Sequence, residues 1–204
     1  MVVFMRKFTI ITVFTSILII PPFFGVYTDF LVVKNIPLQE ILFIILGYLL
    51  LFLIGLVINF FGFNQADIEK MSNHNVIQAL INKNNVILWI FFPVTMLMEE
   101  LLFRFYTLSF LSSTLEFTIL LSVLISSIAF SLYHIHTWFT FKSQKILVVN
   151  LCYTFILGLI IGYVFFLSGI IPCILIHYSV VFNLYYIIYK KNFKLSDKNK
   201  IESL

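Results

Sequence analysis

Apolar residues fill nearly the whole chain in long runs, separated by short polar stretches. A helix needs about 20 residues to cross the hydrocarbon of a bilayer, so runs of about 18 or more read as spans. Six are found, roughly Phe8–Val26, Ile41–Phe63, Val86–Phe110, Phe117–Ile135, Ile146–Leu167 and Ile170–Tyr189. Pro93 is expected to kink or break the third. The pattern therefore predicts an all-α, polytopic transmembrane helical bundle. Three stretches are distinguished along it: residues 1–85 with two spans and a polar loop, 86–189 with four further spans, and a basic tail over 190–204. The first run follows Arg6-Lys7 as a signal peptide would, but Pro21-Pro22-Phe23-Phe24 is bulky and no small-x-small cleavage site follows, so an uncleaved span is expected.

Charge gives the orientation. The N-terminus, the 64–85 loop, the 136–145 loop and the tail carry eleven Lys and Arg, whereas the opposite loops carry Lys34 alone. The positive-inside rule then places both termini in the cytoplasm. Composition agrees with a membrane protein: 61% of residues are hydrophobic and 11% charged, against roughly 25% charged in a soluble domain. The net charge of +4 resides in loops and tail, so it implies lipid-side positive charge and no nucleic-acid partner. Cys152 and Cys173 would lie at different depths of adjacent spans, too far apart for the roughly 4–7 Å Cα separation of a disulfide. Gly158 and Gly162 form a small-xxx-small face suited to close helix packing. His74, in the polar 64–85 loop, is expected at the surface. Abundant Ile, Phe, Asn and Lys point to an AT-rich genome and a bacterial plasma membrane.

Against this background Met96-Leu-Met-Glu99-Glu100-Leu-Leu-Phe-Arg104 stands out, with three charges inside a span. Such groups cost a few kcal/mol each near the bilayer middle and face a protein interior or a wet cavity. Glu100 and Arg104 are i,i+4 neighbours, while Glu99 points about 100° away. Arg104 would neutralise Glu100 and leave Glu99 free to face a cavity; one buried ionic knot that only fixes helix positions fits the three residues alone as well. His134 closes the fourth span and His177 lies well inside the sixth. His136, nearly opposite His134, reads as interfacial. Two His and a carboxylate with an open position make a common catalytic zinc set. Equally, a buried Glu and a neutral His can activate water without a metal. Neither a His-Glu-x-x-His motif nor a Gly-x-Ser-x-Gly elbow is present.

Glu99-Glu100-x-x-x-Arg104, Phe130-x-x-x-His134 and His177, in that order, resemble the CAAX protease and bacteriocin-processing (CPBP) family of intramembrane endopeptidases. Phe155-Ile-Leu-Gly158-Leu-Ile-Ile-Gly162, followed by Ser168-Gly169-Ile-Ile-Pro172, resembles that family's spacing between its second and third motifs. The similarity covers about residues 86–185. It implies cleavage of a membrane-associated peptide or protein within the bilayer. Glu99 and His134 would hold and deprotonate the attacking water, and His177 would stabilise the oxyanion. Glu100 and Arg104 would be a supporting ion pair, with Glu100 a second candidate base. Both metal-dependent and glutamate-type chemistry are implied; a zinc ion would take Glu99, His134 and His177 as ligands.

Two positions depart from the family pattern. Residue 181 is Val where Asn or Asp is expected four residues after the last His, and Phe105 replaces a common Gly. Asn183, about 240° around the helix from His177, faces away; Ser179 and Asn150 are the other polar candidates. A catalytically impaired relative acting as scaffold or immunity factor is the rival reading. A proton-coupled transporter would instead show pseudo-symmetric halves, which the sequence lacks. One constraint remains. Glu99 lies about 20 Å from the cytoplasmic end of a span starting at Val86, whereas His134 is near the cytoplasmic end of its own. For the two to meet, the third span is expected to start near Pro93, with residues 86–92 in the interface and the site near the cytoplasmic side.

Overall fold

The computed structural model describes residues 2–31 and 36–202, with side chains for residues 6–31 and 36–193. Lys34 and the side chains of Lys194, Lys198 and Lys200 lie outside the described residues. The described chain is helical throughout, without strands. It runs α1 (Val2–Phe23), α2 (Leu38–Val57), the short α3 (Gln65–Ser72) and α4 (Asn75–Ile81), α5 (Phe92–Glu100), α6 (Ile119–Tyr133), α7 (Thr137–Phe141), α8 (Gln144–Ser168) and α9 (Ile170–Glu202).

Among the described residues five stretches are long and apolar enough to cross a membrane: Arg6–Phe23, Leu38–Gly62, Ile119–Phe141, Gln144–Ser168 and Ile170–Phe193. Their outward residues are large and apolar, with Leu46, Leu120 and Leu175 all more than half exposed. Water would make that surface associate; lipid is its natural solvent. The third expected span is also one helical run, but it alternates between α and π register. The stretches Ile87–Phe91, Leu101–Leu108 and Phe110–Thr114 are π-helical.

The expected start of the third span near Pro93 does not coincide with a break in the helix. The run passes through Pro93 unbroken, and the wider turn over Ile87–Phe91 precedes the ring. Ile87 and Leu88 are buried with Val76 and Ala79 of α4, which holds this turn in place. A second difference lies at the other end. No glycine or proline follows Tyr189, and α9 continues through the described part of the basic segment.

The core is centred on α6, α8 and α9. A Cβ added to Gly158 would lie 2.9 Å from Ser127 Cβ and 3.0 Å from its Cα, so α6 and α8 touch backbone to backbone. Between them Ser131 Oγ donates to Leu151 O at 2.8 Å, setting the register of α8 against α6. Gly169 ends α8 at φ +80°, a conformation that glycine adopts without strain, and leads directly into α9.

The basic segments meet at one end of the bundle. Lys145, in the first turn of α8, pairs with Asp67 of α3 at 3.0 Å, and Asn64 and Asp67 form a reciprocal cap on α3. Lys191 Nζ donates to Asn59 O. His74 is not a free surface residue. Its Nδ1 accepts from Val76 N–H as the cap of α4, its Nε2 meets the Tyr185 hydroxyl at 3.1 Å, and the two rings stack 4.4 Å apart. The hydrophilic sequence around His74 conceals that α3 and α4 dock on α9.

Candidate active site

Glu99 and Glu100 end α5, where the helix changes to π register. Single π turns recur at functional sites because they re-aim neighbouring side chains. Here Thr107 Oγ1 bonds to Leu102 O, five residues back, in the same wide register. Adjacent on the chain, the two carboxylates have different company.

Glu100 is fully buried. Its Oε2 lies 3.3 Å from Arg104 Nε and its Oε1 2.7 Å from His177 Nδ1. The Arg104 guanidinium also lies 4.0 Å above the Phe130 ring. The edges of that ring meet the imidazoles of His134 and His177, with centroids 4.8 and 5.6 Å away. One aromatic side chain thus seats the cation and both histidines.

Glu99 is nearly as buried, yet its Oε2 has no hydrogen bond. It faces His134 Nε2 at 4.0 Å and His177 Nε2 at 3.9 Å. The opposite nitrogens are occupied, His134 Nδ1 with Phe130 O at 2.9 Å and His177 Nδ1 with Glu100. A donating Nδ1 in each ring leaves a lone pair on Nε2, so two basic nitrogens look at one carboxylate oxygen. Separations near 4 Å are too long for direct hydrogen bonds. A water about 2.8 Å from both atoms of such a pair would subtend an angle of about 90°, which a bridging water accepts.

The donor types also suit zinc. Ligands sharing one tetrahedral zinc at about 2.1 Å lie about 3.4 Å apart, however, closer than the separations here. Among the described residues no three His, Cys, Asp or Glu side chains are arranged to hold an ion. The gap between Glu99 Oε2 and each imidazole nitrogen is wide enough for one water.

Glu99, His134 and His177 line a cavity of about 210 Å³ that reaches Lys7, His74 and Asn75 at the basic end. The site therefore communicates with the side carrying the positive loops. All five residues singled out in the sequence converge. Others in the cavity were not foreseen: His136, whose Nδ1 meets Tyr133 O at 2.9 Å, and the His74–Tyr185 pair. Periodicity carries no signal for these, since each depends on which loop docks where. Val181 also lines the cavity, whereas Asn183 donates to Ser179 O of its own helix at 2.8 Å. Phe105 is fully buried, edge-on to Tyr27 and Tyr106.

A family model described as type II CAAX prenyl endopeptidase Rce1-like matches residues 82–183, half of the chain. No curated protein and no solved structure matches it.

Proposed function

The chain belongs to the Rce1-like type II CAAX prenyl endopeptidase family, and we propose that it hydrolyses a peptide bond in a membrane-associated peptide or protein with water activated by Glu99 and His134. One observation carries the reading: a buried carboxylate oxygen without a hydrogen bond faces two imidazole nitrogens across a water-sized gap, inside a cavity. Glu99 takes a proton from the water while His134 Nε2 orients it. The water oxygen bonds to the scissile carbonyl carbon, and the C=O π pair moves onto oxygen. The tetrahedral species collapses with cleavage of the C–N bond. Glu99 returns its proton to the leaving nitrogen, giving a carboxylic acid and an amine.

Glu100 is engaged by Arg104 and His177 at its two oxygens, which supports the reading of Glu99 as the base and Glu100 as its support. With Glu100 accepting from Nδ1–H, His177 is aimed at the reacting centre and donates from Nε2 whenever it is protonated. For a zinc ion to bind, Glu99, His134 and His177 would have to close from the separations of 3.9–4.0 Å, and the ion would then supply Lewis-acid polarisation of the same water. By family resemblance the physiological role is processing of a bacteriocin or peptide pheromone, or self-immunity to a bacteriocin, in a bacterial plasma membrane.

The rival is a catalytically impaired scaffold or immunity factor, favoured by Val181 where the resemblance expects an amide or carboxylate. Cleavage of a membrane-peptide library by wild type, Glu99→Gln, His134→Ala and His177→Ala, with and without chelator, separates the two. Activity lost in all three variants supports hydrolysis, and chelator sensitivity restored by zinc assigns a metal. An inactive wild type whose site variants still complement the null phenotype in cells leaves the scaffold.

A further inference from the structure

Several buried side-chain nitrogen and oxygen atoms among the described residues make no hydrogen bond. They belong to Glu99, Glu100, Arg104, Ser109, Ser122, Asn150 and Tyr178, and of these only Glu99 and Asn150 line the cavity. The two atoms are complementary. Glu99 Oε2 is an acceptor and Asn150 Nδ2 a donor, and a buried donor left unpaired costs about 1–3 kcal/mol until something accepts from it.

Several neighbouring polar groups in the same cavity are already engaged. Thr95 donates to Phe91 O, Thr137 to His134 O, Thr154 to Asn150 O, Tyr153 to Leu51 O and the Asn59 amide to Gly55 O. The position of Asn150 is fixed from outside. The bond from Ser131 Oγ to Leu151 O ties this turn of α8 to α6 one turn ahead of His134, and α8 also packs on the His134–His136 turn. Asn150 thus holds an amide nitrogen without a hydrogen bond on the wall of the cavity that His134 also lines.

We infer that Asn150 Nδ2 donates a hydrogen bond to the oxyanion of the tetrahedral intermediate, doing from α8 what an amide at position 181 of α9 would do. The inference rests on the hydrolytic reading above. It explains how a chain with Val181 keeps an oxyanion donor: the valine leaves the α9 side of the cavity apolar, and the amide reaches in from the facing helix. No new bond chemistry is involved, because the donor meets the oxygen that receives the carbonyl π pair and releases it when the C–N bond breaks.

The test compares the full-length wild type with Asn150→Ala, Asn150→Asp and Asn150→Ala/Val181→Asn on one cleaved library peptide, with melting temperatures measured alongside. Loss of one oxyanion donor lowers kcat by about 10²–10³ and barely moves KM. The expected result is a fall of that size in both single variants, KM within about threefold, and recovery of at least about tenfold in the double variant. Asn150→Asp keeps the shape of the side chain, so it reports even where the alanine variant fails to fold. Single variants retaining kcat within about threefold would overturn the inference. So would a loss that Val181→Asn does not restore, which gives Asn150 a purely structural role. In both cases wild type cleaves and the hydrolytic reading stands; a wild type that cleaves nothing removes the reading and the inference together.

Discussion

Replacing Glu100 by Gln keeps the side chain's shape and removes one charge at the centre of the bundle. At an effective dielectric of about 20, unit charges 3.3 Å apart, as Arg104 Nε and Glu100 Oε2 are, attract by about 5 kcal/mol. Arg104 is 1% exposed and would have no counter-ion. The face of Phe130 offsets at most about 2 kcal/mol of that. Breaking one side of a buried pair typically costs about 3–5 kcal/mol. For a chain of this size that is a melting temperature lower by roughly 6–20 °C. Thermal unfolding of detergent-purified protein, followed by circular dichroism, reads it directly. Adding Arg104→Met to Glu100→Gln removes the orphaned cation and is expected to recover most of the loss. A single variant within about 2 °C of wild type, or a double variant less stable than the single, would refute the account.

Gly158→Ala is expected to destabilise by about 1–3 kcal/mol, because its Cβ meets the Ser127 backbone at 3.0 Å; Gly62→Ala, whose nearest neighbour is 3.4 Å away, is expected to melt close to wild type. Lys145→Ala is expected to shift melting by less than about 3 °C, since the Lys145 partner of Asp67 is 48% exposed and such pairs contribute at most about 1 kcal/mol. His74 gives a pH dependence. Burial first, then Lys7 and His136, lower its pKa from 6.5 to about 3 in the folded chain. Below pH 6.5 the unfolded chain binds a proton that the folded one excludes, so this stability is complete above pH 6.5 and declines towards pH 3. His74→Asn keeps a capping acceptor without titrating. Melting of the two proteins between pH 7 and pH 4 is expected to diverge at wild type's expense, and parallel curves would contradict the assignment.

The parts of this protein legible in its sequence are those where apolar context makes polarity conspicuous. Glu99, Glu100, Arg104 and His177 lie in runs where a charge or imidazole must find partners, and the i,i+4 spacing of Glu100 and Arg104 states one pairing outright. The spans are legible for the same reason. The π register of Leu101–Leu108 is not, because nothing in local propensity separates it from α-helix. His74 was misjudged because its neighbours are hydrophilic, while its burial comes from Tyr185 on a helix 111 residues away. Asn150 is one polar residue among several in the sequence; what sets it apart is an amide nitrogen on the cavity wall without a hydrogen bond.

The seam between α6 and α8 also limits how a substrate reaches Glu99. Where Gly158 meets the backbone and short side chain of Ser127, and Gly162 meets the branched side chain of Val123, the two helices abut with only small groups between them. This seam behaves as a solid wall, and prising it apart would separate the backbones that hold His134 and Asn150 in register. Under the proposed reaction, substrate would therefore come from elsewhere around the bundle, either from the face where α1, α2 and α4 border the cavity or down from its basic end.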